Sequence, residues 1–395
     1  MPPARPATRF TLSWPTVTGQ KNHPAHRLAL AHSRGDSVTT RQQTPWGGTF
    51  LRGFLPGLHQ LPADLCAGEV WELSLAAERP SFLRDGSALA EWARSVRTKP
   101  EPSLLLKWLD SDDWLSLQVH PAEPENGVGK VECWYVVRAE HNATLYAGVK
   151  PELGRDDFEA AMQRGLVTDC LQAFHPQAGD VFLIDTGTPH ALGPGISVLE
   201  LQRTAPGDAG TTLRFWDWNR RYDGDGRPSG SGAARPLHLP AALAATRWQS
   251  RASLHARLPR AQATEGHAVL EVLIGAAGAP RHGASAVPEP GSIRLCDEAG
   301  GASGCLPRLS HAELTLARAY GSGSVRWTPS WPWSSLTVMR GRLTVETSEG
   351  EKTLERGQSA LLHAEQEIVL NLDEAEVVLG STAPVDTPGP VDTPS

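Results

Sequence analysis

A short apolar run ends at His120 and carries three polar side chains at alternate positions. The segment Trp114-Leu-Ser-Leu-Gln-Val-His is followed by Pro121, which ends the run. Successive side chains of a β-strand point to opposite faces, so Ser116, Gln118 and His120 are expected to share one face. An imidazole and an amide oxygen two residues apart form a possible pair of metal ligands.

Two further segments offer ligands of the same kind. Glu132 lies in the apolar run Lys130-Val-Glu-Cys-Trp-Tyr-Val, where an unpaired carboxylate would be costly to bury. His190 follows the hairpin signal Gly179-Asp180 and closes a Gly-Thr-Pro-His turn. Taken alone, each histidine is more often a structural or exposed residue. Together, two histidines and a glutamate from separate strands form a divalent-metal set that leaves a coordination position open.

Three charged residues lie in other apolar segments, and each has two possible roles. Arg214 is either a surface arginine or a group that binds a phosphate or an oxyanion. Lys130 shares a strand face with Glu132 and is either its counter-charge or a base. Lys107 interrupts the run Leu104-Leu-Leu-Lys-Trp-Leu, which indicates a buried partner or a phosphate contact.

The order of these motifs resembles that of a cupin barrel, and the surrounding segments make the resemblance more specific. The chain resembles the class I mannose-6-phosphate isomerase family in its compact bacterial form, densely over residues 40–248 and only in architecture from 250 to 380. The matching segments are Trp46-Gly-Gly, Gly68-Glu-Val-Trp-Glu, Leu115-Ser-Leu-Gln-Val-His-Pro, Gly129-Lys-Val-Glu-Cys-Trp-Tyr-Val, Gly187-Thr-Pro-His-Ala-Leu-Gly, Val198-Leu-Glu-Leu-Gln and Leu213-Arg-Phe-Trp-Asp-Trp-Asn-Arg.

The resemblance implies one Zn²⁺ per chain and an isomerase that interconverts mannose 6-phosphate and fructose 6-phosphate. In that reaction a proton moves between C1 and C2 through an enediol, which requires a base and an electrophile. The resemblance also implies the metal ligands Gln118, His120, Glu132 and His190 and an essential arginine at Arg214, and it matches Glu200 to a family carboxylate near the substrate. Together with the charge patterns above, the candidate catalytic residues are Arg214, Lys130 and Glu200, and the candidate substrate-binding residues are Lys107, Ser116 and Arg220.

Besides the stretch from His120 to Lys130, which is short compared with the family, two departures from the family pattern fall close to these residues. Asp185-Thr stands where Pro-Ala is usual, just before the turn that carries His190. Four extra residues lie between Glu200 and Arg214, in the segment that runs from Arg203 to Gly210. Both departures are expected to affect loop geometry and substrate preference more than metal binding.

Strand patterns dominate the elements that must position these groups. The 395 residues include 38 Gly and 32 Pro, and such a turn-rich chain favours short strands. We expect a mainly β protein of two cupin-type β-barrel (jelly-roll) units with a few peripheral helices. The predicted parts are an N-terminal extension over 1–45, a metal-binding catalytic cupin over 46–236 with a helical insert near 156–174, a helical and loop connection over 237–310, a second cupin-like unit without a metal site over 311–382, and a disordered tail over 383–395.

Composition narrows the possible partners. The net charge of −7 gives no reason to expect nucleic acid, and no apolar run is long enough to cross a membrane. The five cysteines form no CxxC pair, which is typical of reduced thiols inside the cell. We therefore expect a cytoplasmic protein that acts on a small hexose 6-phosphate, as a monomer or weak homodimer.

Other functions compete with this prediction. A cupin that binds a sugar phosphate without turnover would keep the barrel and lose the reaction. An isomerase of another aldose phosphate would keep the chemistry and change the substrate. A cupin oxidoreductase could hold Fe²⁺ with the same histidines and glutamate.

Overall fold

Antiparallel strands make up most of the computed structural model, which describes residues 26–32, 38–40, 44–59, 62, 66–96, 100–122, 124, 127–224, 228–250, 254–258, 268–275 and 308–385. The strands of the N-terminal half are β1 (Arg27–His32), β2 (Val38–Thr40), β3 (Ala67–Leu73), β4 (Phe82–Leu83), β5 (Leu104–Ser111), β6 (Leu117–Val119), β7 (Val131–Ala139), β8 (Leu145–Val149), β9 (Leu171–Phe174), β10 (Val181–Ile184), β11 (His190–Ala191), β12 (Ile196–Arg203) and β13 (Leu213–Trp216).

The C-terminal strands are longer, and the helices are short. The strands are β14 (His255–Ala256), β15 (Ala268–Gly275), β16 (Leu309–Ser310), β17 (Leu314–Trp327), β18 (Trp333–Thr347), β19 (Gly350–Glu355), β20 (Ser359–His363) and β21 (Ile368–Thr382). The α-helices are α1 (Phe50–Phe54), α2 (Leu89–Ser95), α3 (Arg155–Gln163) and α4 (Leu239–Ala245), and 3₁₀ turns cover Pro56–Leu58 and Val167–Cys170. The prediction of a mainly β protein with few helices is confirmed.

Three sheets organise the described chain. A seven-stranded sheet has the order β14-β10-β7-β12-β5-β3-β2, and a five-stranded sheet has the order β13-β6-β11-β8-β9. A nine-stranded sheet contains β15 to β21 together with β1 and β4. The predicted division into two cupin barrels stays a prediction, as do the domain boundaries.

Alternation along the strands of the seven-stranded sheet separates a structural face from a functional one. On one face, Leu106, Trp108 and Leu201 join an apolar cluster that also contains Leu361 and Val378 of the nine-stranded sheet. The residues between them in sequence face the other way. Lys107, Glu132 and Glu200 therefore lie on the face that is turned from the nine-stranded sheet toward the five-stranded sheet.

The predicted helical insert over 156–174 is wrong in its second half. Helix α3 ends at Gln163, and Gly165 follows with a φ of +72°, a left-handed conformation that commonly ends helices. The apolar residues of Leu171–Phe174 then pair with β8 instead of continuing a helix.

Several short strand-like patterns of the C-terminal sequence lie within two long strands. Leu336-Thr-Val-Met and Arg342-Leu-Thr-Val-Glu both belong to β18, and Ile368-Val-Leu and Glu376-Val-Val-Leu both belong to β21. Gly341, with a φ of +68°, permits an irregular pairing next to Arg340 in place of a turn. Both strands are therefore 15 residues long.

Part of the predicted N-terminal extension is integrated into the fold. Strand β1 pairs with β20, placing Arg27 opposite His363. The segment Arg9-Phe-Thr-Leu-Ser-Trp-Pro, whose pattern predicts a short strand, lies outside the described residues, as does most of the tail. Within the described part of the chain, no helix is long and apolar enough to cross a bilayer.

Candidate active site

The two predicted histidines and the glutamate converge from two facing sheets. His190 begins β11 and is paired with Gln118 of β6 in the five-stranded sheet, and His120 follows β6 directly. Glu132 belongs to β7 of the seven-stranded sheet. All three side chains are buried, and their donor atoms lie within 4.8 Å of one another. Among the described residues, no other group of three histidine, cysteine or acidic side chains converges in this way.

Backbone carbonyls fix the orientation of both imidazole rings. His120 Nδ1 lies 3.0 Å from the Thr211 carbonyl, and His190 Nδ1 lies 2.9 Å from that of Thr188. A carbonyl only accepts hydrogen bonds, so each Nδ1 carries the proton and each Nε2 presents a lone pair. Burial lowers the pKa of both rings, that of His190 to about 3. The charge of Lys130 lowers both pKa values further, and His120 adds to the effect on His190.

These lone pairs face a carboxylate, which is an unfavourable arrangement without a cation between them. His120 Nε2 lies 3.0 Å from Glu132 Oε1, and His190 Nε2 lies 3.8 Å from Glu132 Oε2. His120 Nε2 and Glu132 Oε2 are buried and have no hydrogen-bond partner. Two imidazole nitrogens and a carboxylate oxygen that point at one another fit a divalent transition metal.

Gln118 lies on the same side of the site, as the alternation of its strand predicts. Its amide nitrogen lies 3.2 Å from His190 Nε2, and its amide oxygen lies 3.3 Å from the Ser116 hydroxyl. Rotating the amide by half a turn would exchange the nitrogen and the oxygen. Gln118 can therefore offer an oxygen to a metal held by the histidines.

Lys130 is the counter-charge of Glu132. Its ammonium lies 2.8 Å from Glu132 Oε1, and its side chain is 6% exposed. Burial opposes the charge on Lys130, but the nearby carboxylates of Glu132 and Glu200 outweigh it and raise the pKa of Lys130. Burial likewise disfavours the Glu132 carboxylate, yet Lys130 and His120 hold its pKa well below the ordinary value.

A second buried carboxylate, Glu200, lies next to this group. Its two oxygens accept hydrogen bonds from Trp134 Nε1 at 3.0 Å and from Gln202 Nε2 at 2.5 Å. Gln202 Nε2 also lies 3.2 Å from Glu132 Oε1, so one amide bridges both carboxylates. Burial and the charge of Glu132 raise the pKa of Glu200 to about 8.

Lys107 is held by neighbouring strands. It pairs with Glu200 of β12 on one side and with Trp71 of β3 on the other. Its ammonium lies 4.0 Å from the centre of the Trp71 ring and 3.8 Å from Glu69 Oε2. These contacts fulfil the prediction of a buried partner, while a phosphate contact of Lys107 stays a prediction.

Arg214 faces the site from the opposite sheet. It pairs with Gln118 across the strands, and its Nε donates to the Ser116 hydroxyl at 3.2 Å. None of the ion pairs found among the described residues includes Arg214. Burial lowers its pKa, and the nearby Arg235 lowers it further.

Arg220 has partners of its own. It lies 2.7 Å from Asp217 and 3.4 Å from Asp113. Asp217 also accepts both hydrogen bonds of a forked contact with Arg235 and one from the Tyr222 hydroxyl. Binding of substrate by Arg220 stays a prediction, and the structure shows it organising the loop after β13.

Several residues of the site were not singled out in the sequence. The Thr211 carbonyl orients His120, Gln202 bridges two carboxylates, and Asp217 with Arg235 orders the arginine-rich loop. Gln202 carries the one usable signal, because alternation places it on the same face as Glu200. The other three act through loop backbone or long-range contacts, which a local pattern does not encode.

Curated relatives match about half of this chain. The chain is 32% identical over 209 residues to a protein of Streptococcus mutans, and 32% identical over 210 residues to ManA of Bacillus subtilis. Both of these relatives are mannose-6-phosphate isomerases. The resemblance inferred from the motifs is confirmed. Each alignment covers 49% of this chain and 61% or 62% of the relative, so the chain spans about three-fifths of the curated relatives it matches.

Solved structures of mannose-6-phosphate isomerases share the fold over a longer stretch. The Bacillus subtilis enzyme aligns over 89% of this chain and 99% of its own, with a TM-score of 0.63 and 19% identity. A mannose 6-phosphate isomerase bound with zinc and yttrium aligns over 90% and 99%, with a TM-score of 0.55 and 12% identity. No protein-family model matches the sequence.

Proposed function

We propose that this chain is a metal-dependent mannose-6-phosphate isomerase. The observation that carries the proposal is the buried, convergent set of His120, Glu132 and His190, in which His120 Nε2 and Glu132 Oε2 have no hydrogen-bond partner. The choice of mannose 6-phosphate as the substrate follows from the names of the relatives, and the choice of zinc follows from one solved structure that contains zinc.

The proposed metal is one Zn²⁺ per chain, held by His120, Glu132 and His190 with Gln118 as a fourth ligand. Zinc accepts this mixture of imidazole, carboxylate and amide donors. When bound, it would polarise the substrate oxygens and so stabilise negative charge that develops on them.

The side chains around the metal would divide the remaining chemistry. Converting the aldose to the ketose requires removal of a proton from C2 and delivery of a proton to C1, with a second proton passing between the two oxygens. Glu200 and Lys130 are the proposed proton-transfer groups, because both are buried beside Glu132 and fixed by hydrogen bonds. Arg214 donates to Ser116 and forms no ion pair among the described residues, and it would stabilise the enediolate oxygen.

Lys107, Ser116 and Arg220 are the proposed substrate-binding groups. Ser116 contacts both Gln118 and Arg214, so a sugar hydroxyl at this position would meet the metal-side and arginine-side groups together. Lys107 and Arg220 bring positive charge that favours an anionic substrate, although each is already partnered in the structure. Cytoplasmic location and a monomeric or weakly dimeric state stay predictions.

The experiment combines metal analysis with an isomerase assay in D₂O. Protein purified without chelator is expected to contain close to one zinc per chain and to produce fructose 6-phosphate carrying deuterium from the solvent at C1. Turnover with no deuterium would contradict proton transfer through a solvent-exchangeable enediol. Binding of the sugar phosphate without turnover would indicate a non-catalytic cupin, and turnover of a different aldose phosphate alone would reassign the substrate.

A further inference from the structure

The loop formed by residues 204–211 closes over Lys130. It begins where the Thr204 backbone N–H donates to the Ser103 carbonyl, and it ends where the Thr211 carbonyl accepts from His120. Between these anchors, Ala209 packs against the apolar cluster of Trp71, Ala76 and Leu105. The loop is therefore fixed at both ends and in its middle.

Gly210 is the point of closest approach between this loop and Lys130. A Cβ atom built on Gly210 would lie 2.7 Å from Lys130 Cδ, 2.9 Å from Cβ and 3.0 Å from Cγ. Gly210 also has a φ of +77° and donates its backbone N–H to Asp208 Oδ1 at 2.8 Å. Only a residue without a side chain fits both the space and the conformation.

We propose that Gly210 is a positioning residue that presses the loop backbone onto the Lys130 stem and so holds its ammonium against Glu132. The inference rests on the proposed function, in which Lys130 belongs to the catalytic group. A lysine stem is flexible, with several rotatable bonds, so the direction of its ammonium must be set by what surrounds it. The loop supplies that constraint and keeps water from Lys130.

A matched control lies three residues away in the same loop. Gly207 has nearly the same backbone conformation, with a φ of +75°, but a Cβ built there meets only the Leu75 carbonyl at 3.7 Å. Alanine costs stability at either position because L-residues disfavour positive φ. Only at Gly210 does the added methyl group also collide with Lys130. The difference between the effects of Gly210→Ala and Gly207→Ala therefore measures the consequence of that collision.

The first measurement is independent of activity. Lysines of the zinc-loaded protein are labelled with an amine-reactive acetylating reagent and followed by mass spectrometry, with the half-exposed Lys150 as the internal reference. We expect labelling of Lys130 to rise several-fold in Gly210→Ala and to stay at the wild-type level in Gly207→Ala. Equal labelling of Lys130 in all three proteins would overturn the proposal.

The second measurement is the division of the effect between kcat and KM. Gly210→Ala is expected to lower kcat by roughly 10- to 100-fold at unchanged zinc content, the scale for a misplaced catalytic group, with little change in KM. Gly207→Ala is expected to keep kcat within about twofold. Equal losses in the two variants would show a merely structural role for Gly210. If wild-type protein has no isomerase activity, the proposed function is wrong. The labelling of Lys130 still shows whether Gly210 holds the Lys130 side chain in place.

A double variant completes the test. In a Lys130→Ala background, Gly210→Ala is expected to have no further effect on kcat and to lower Tm by less than it does in the wild type, because the Cγ and Cδ atoms are gone. Independent, additive losses would contradict an action through Lys130. Should Gly210→Ala fail to fold alone, the combination of Gly210→Ala with Lys130→Gly, which also removes the Cβ atom, is expected to fold, and its failure would overturn the proposal.

Discussion

His120 Nε2 and Glu132 Oε1 approach to 3.0 Å, although the hydrogen bond of His120 Nδ1 to Thr211 leaves Nε2 without a proton. A lone pair and a carboxylate oxygen repel at that distance unless a cation lies beside them. Lys130 neutralises this carboxylate from 2.8 Å, yet His120 Nε2 still has no hydrogen-bond partner, so its lone pair is available to a metal ion.

Replacing His120 with alanine is expected to remove zinc and activity together. The remaining His190 and Glu132 offer only two strong donors, which is fewer than catalytic zinc sites have. Metal content and kcat/KM measured on the same preparation test this expectation. A variant that keeps activity without zinc, or zinc with the wild-type stoichiometry, would contradict the metal assignment.

Gln118→Ala is expected to weaken zinc binding less than His190→Ala does. An amide oxygen is a weaker ligand than an imidazole, and Gln118 is buried less completely than His190. Competition with a chelator gives the zinc affinity of both variants under identical conditions. The reverse ranking would mean that Gln118 dominates the coordination shell.

Arg214→Ala is expected to lower kcat by about 10²- to 10³-fold, the scale for removing one donor to a developing oxyanion. KM should change little, because Arg214 is proposed to act on the enediolate. Arg214→Lys keeps the charge but not the forked geometry, so it should recover only part of kcat. The control is Arg155→Ala, which changes an exposed arginine on α3.

A rise in KM at constant kcat would instead place Arg214 on the phosphate in ground and transition states alike. Loss of zinc or a large fall in Tm would show that Arg214 is structural. Steady-state kinetics, metal analysis and thermal unfolding of the same samples separate these outcomes.

Asp185, the departure before the His190 turn, is expected to stabilise the fold at neutral pH. It lies 2.5 Å from Arg247 and 3.7 Å from His311. Burial opposes its charge, but the hydrogen bonds from His311 and Arg247 outweigh it and lower the pKa of Asp185 to about 2. A depressed carboxylate pKa adds stability that is fully present above the unfolded value of 3.8 and is lost as the pH falls toward 2.

Asp185→Asn is expected to cost about 1–2 kcal/mol of unfolding free energy at pH 7 and progressively less below pH 4. Urea unfolding of metal-free protein between pH 7 and pH 3 measures the difference without interference from zinc release. In an Arg247→Ala background the cost should shrink, since the two residues act as a pair. A cost that grows as the pH falls would refute the linkage.

The sequence could predict the parts of this site that follow from strand alternation. Gln118 and His120 share a strand, so their common side of the site follows from the period of two. That His120, Glu132 and His190 converge could be predicted only from the order of the motifs and their resemblance to a family, because no local sequence rule determines which strands face each other.

What the sequence could not predict depends on register and loop backbone. Gln202 bridges Glu132 and Glu200 because β12 pairs with β7 in one particular register. The Thr211 carbonyl orients His120 through a loop whose path is set by glycines and distant anchors. Lys107 was correctly expected to have a buried partner, but Glu69 and Trp71 became identifiable only when β3 paired with β5.

The most direct test of the account is a coupled assay for fructose 6-phosphate formation by the full chain, with zinc removed and then restored. Turnover of mannose 6-phosphate is expected to be lost with the metal, restored by about one equivalent of zinc, and absent from His120→Ala at any zinc concentration. Full activity in the metal-free protein, or a fully loaded protein that binds mannose 6-phosphate and never converts it, would contradict the account.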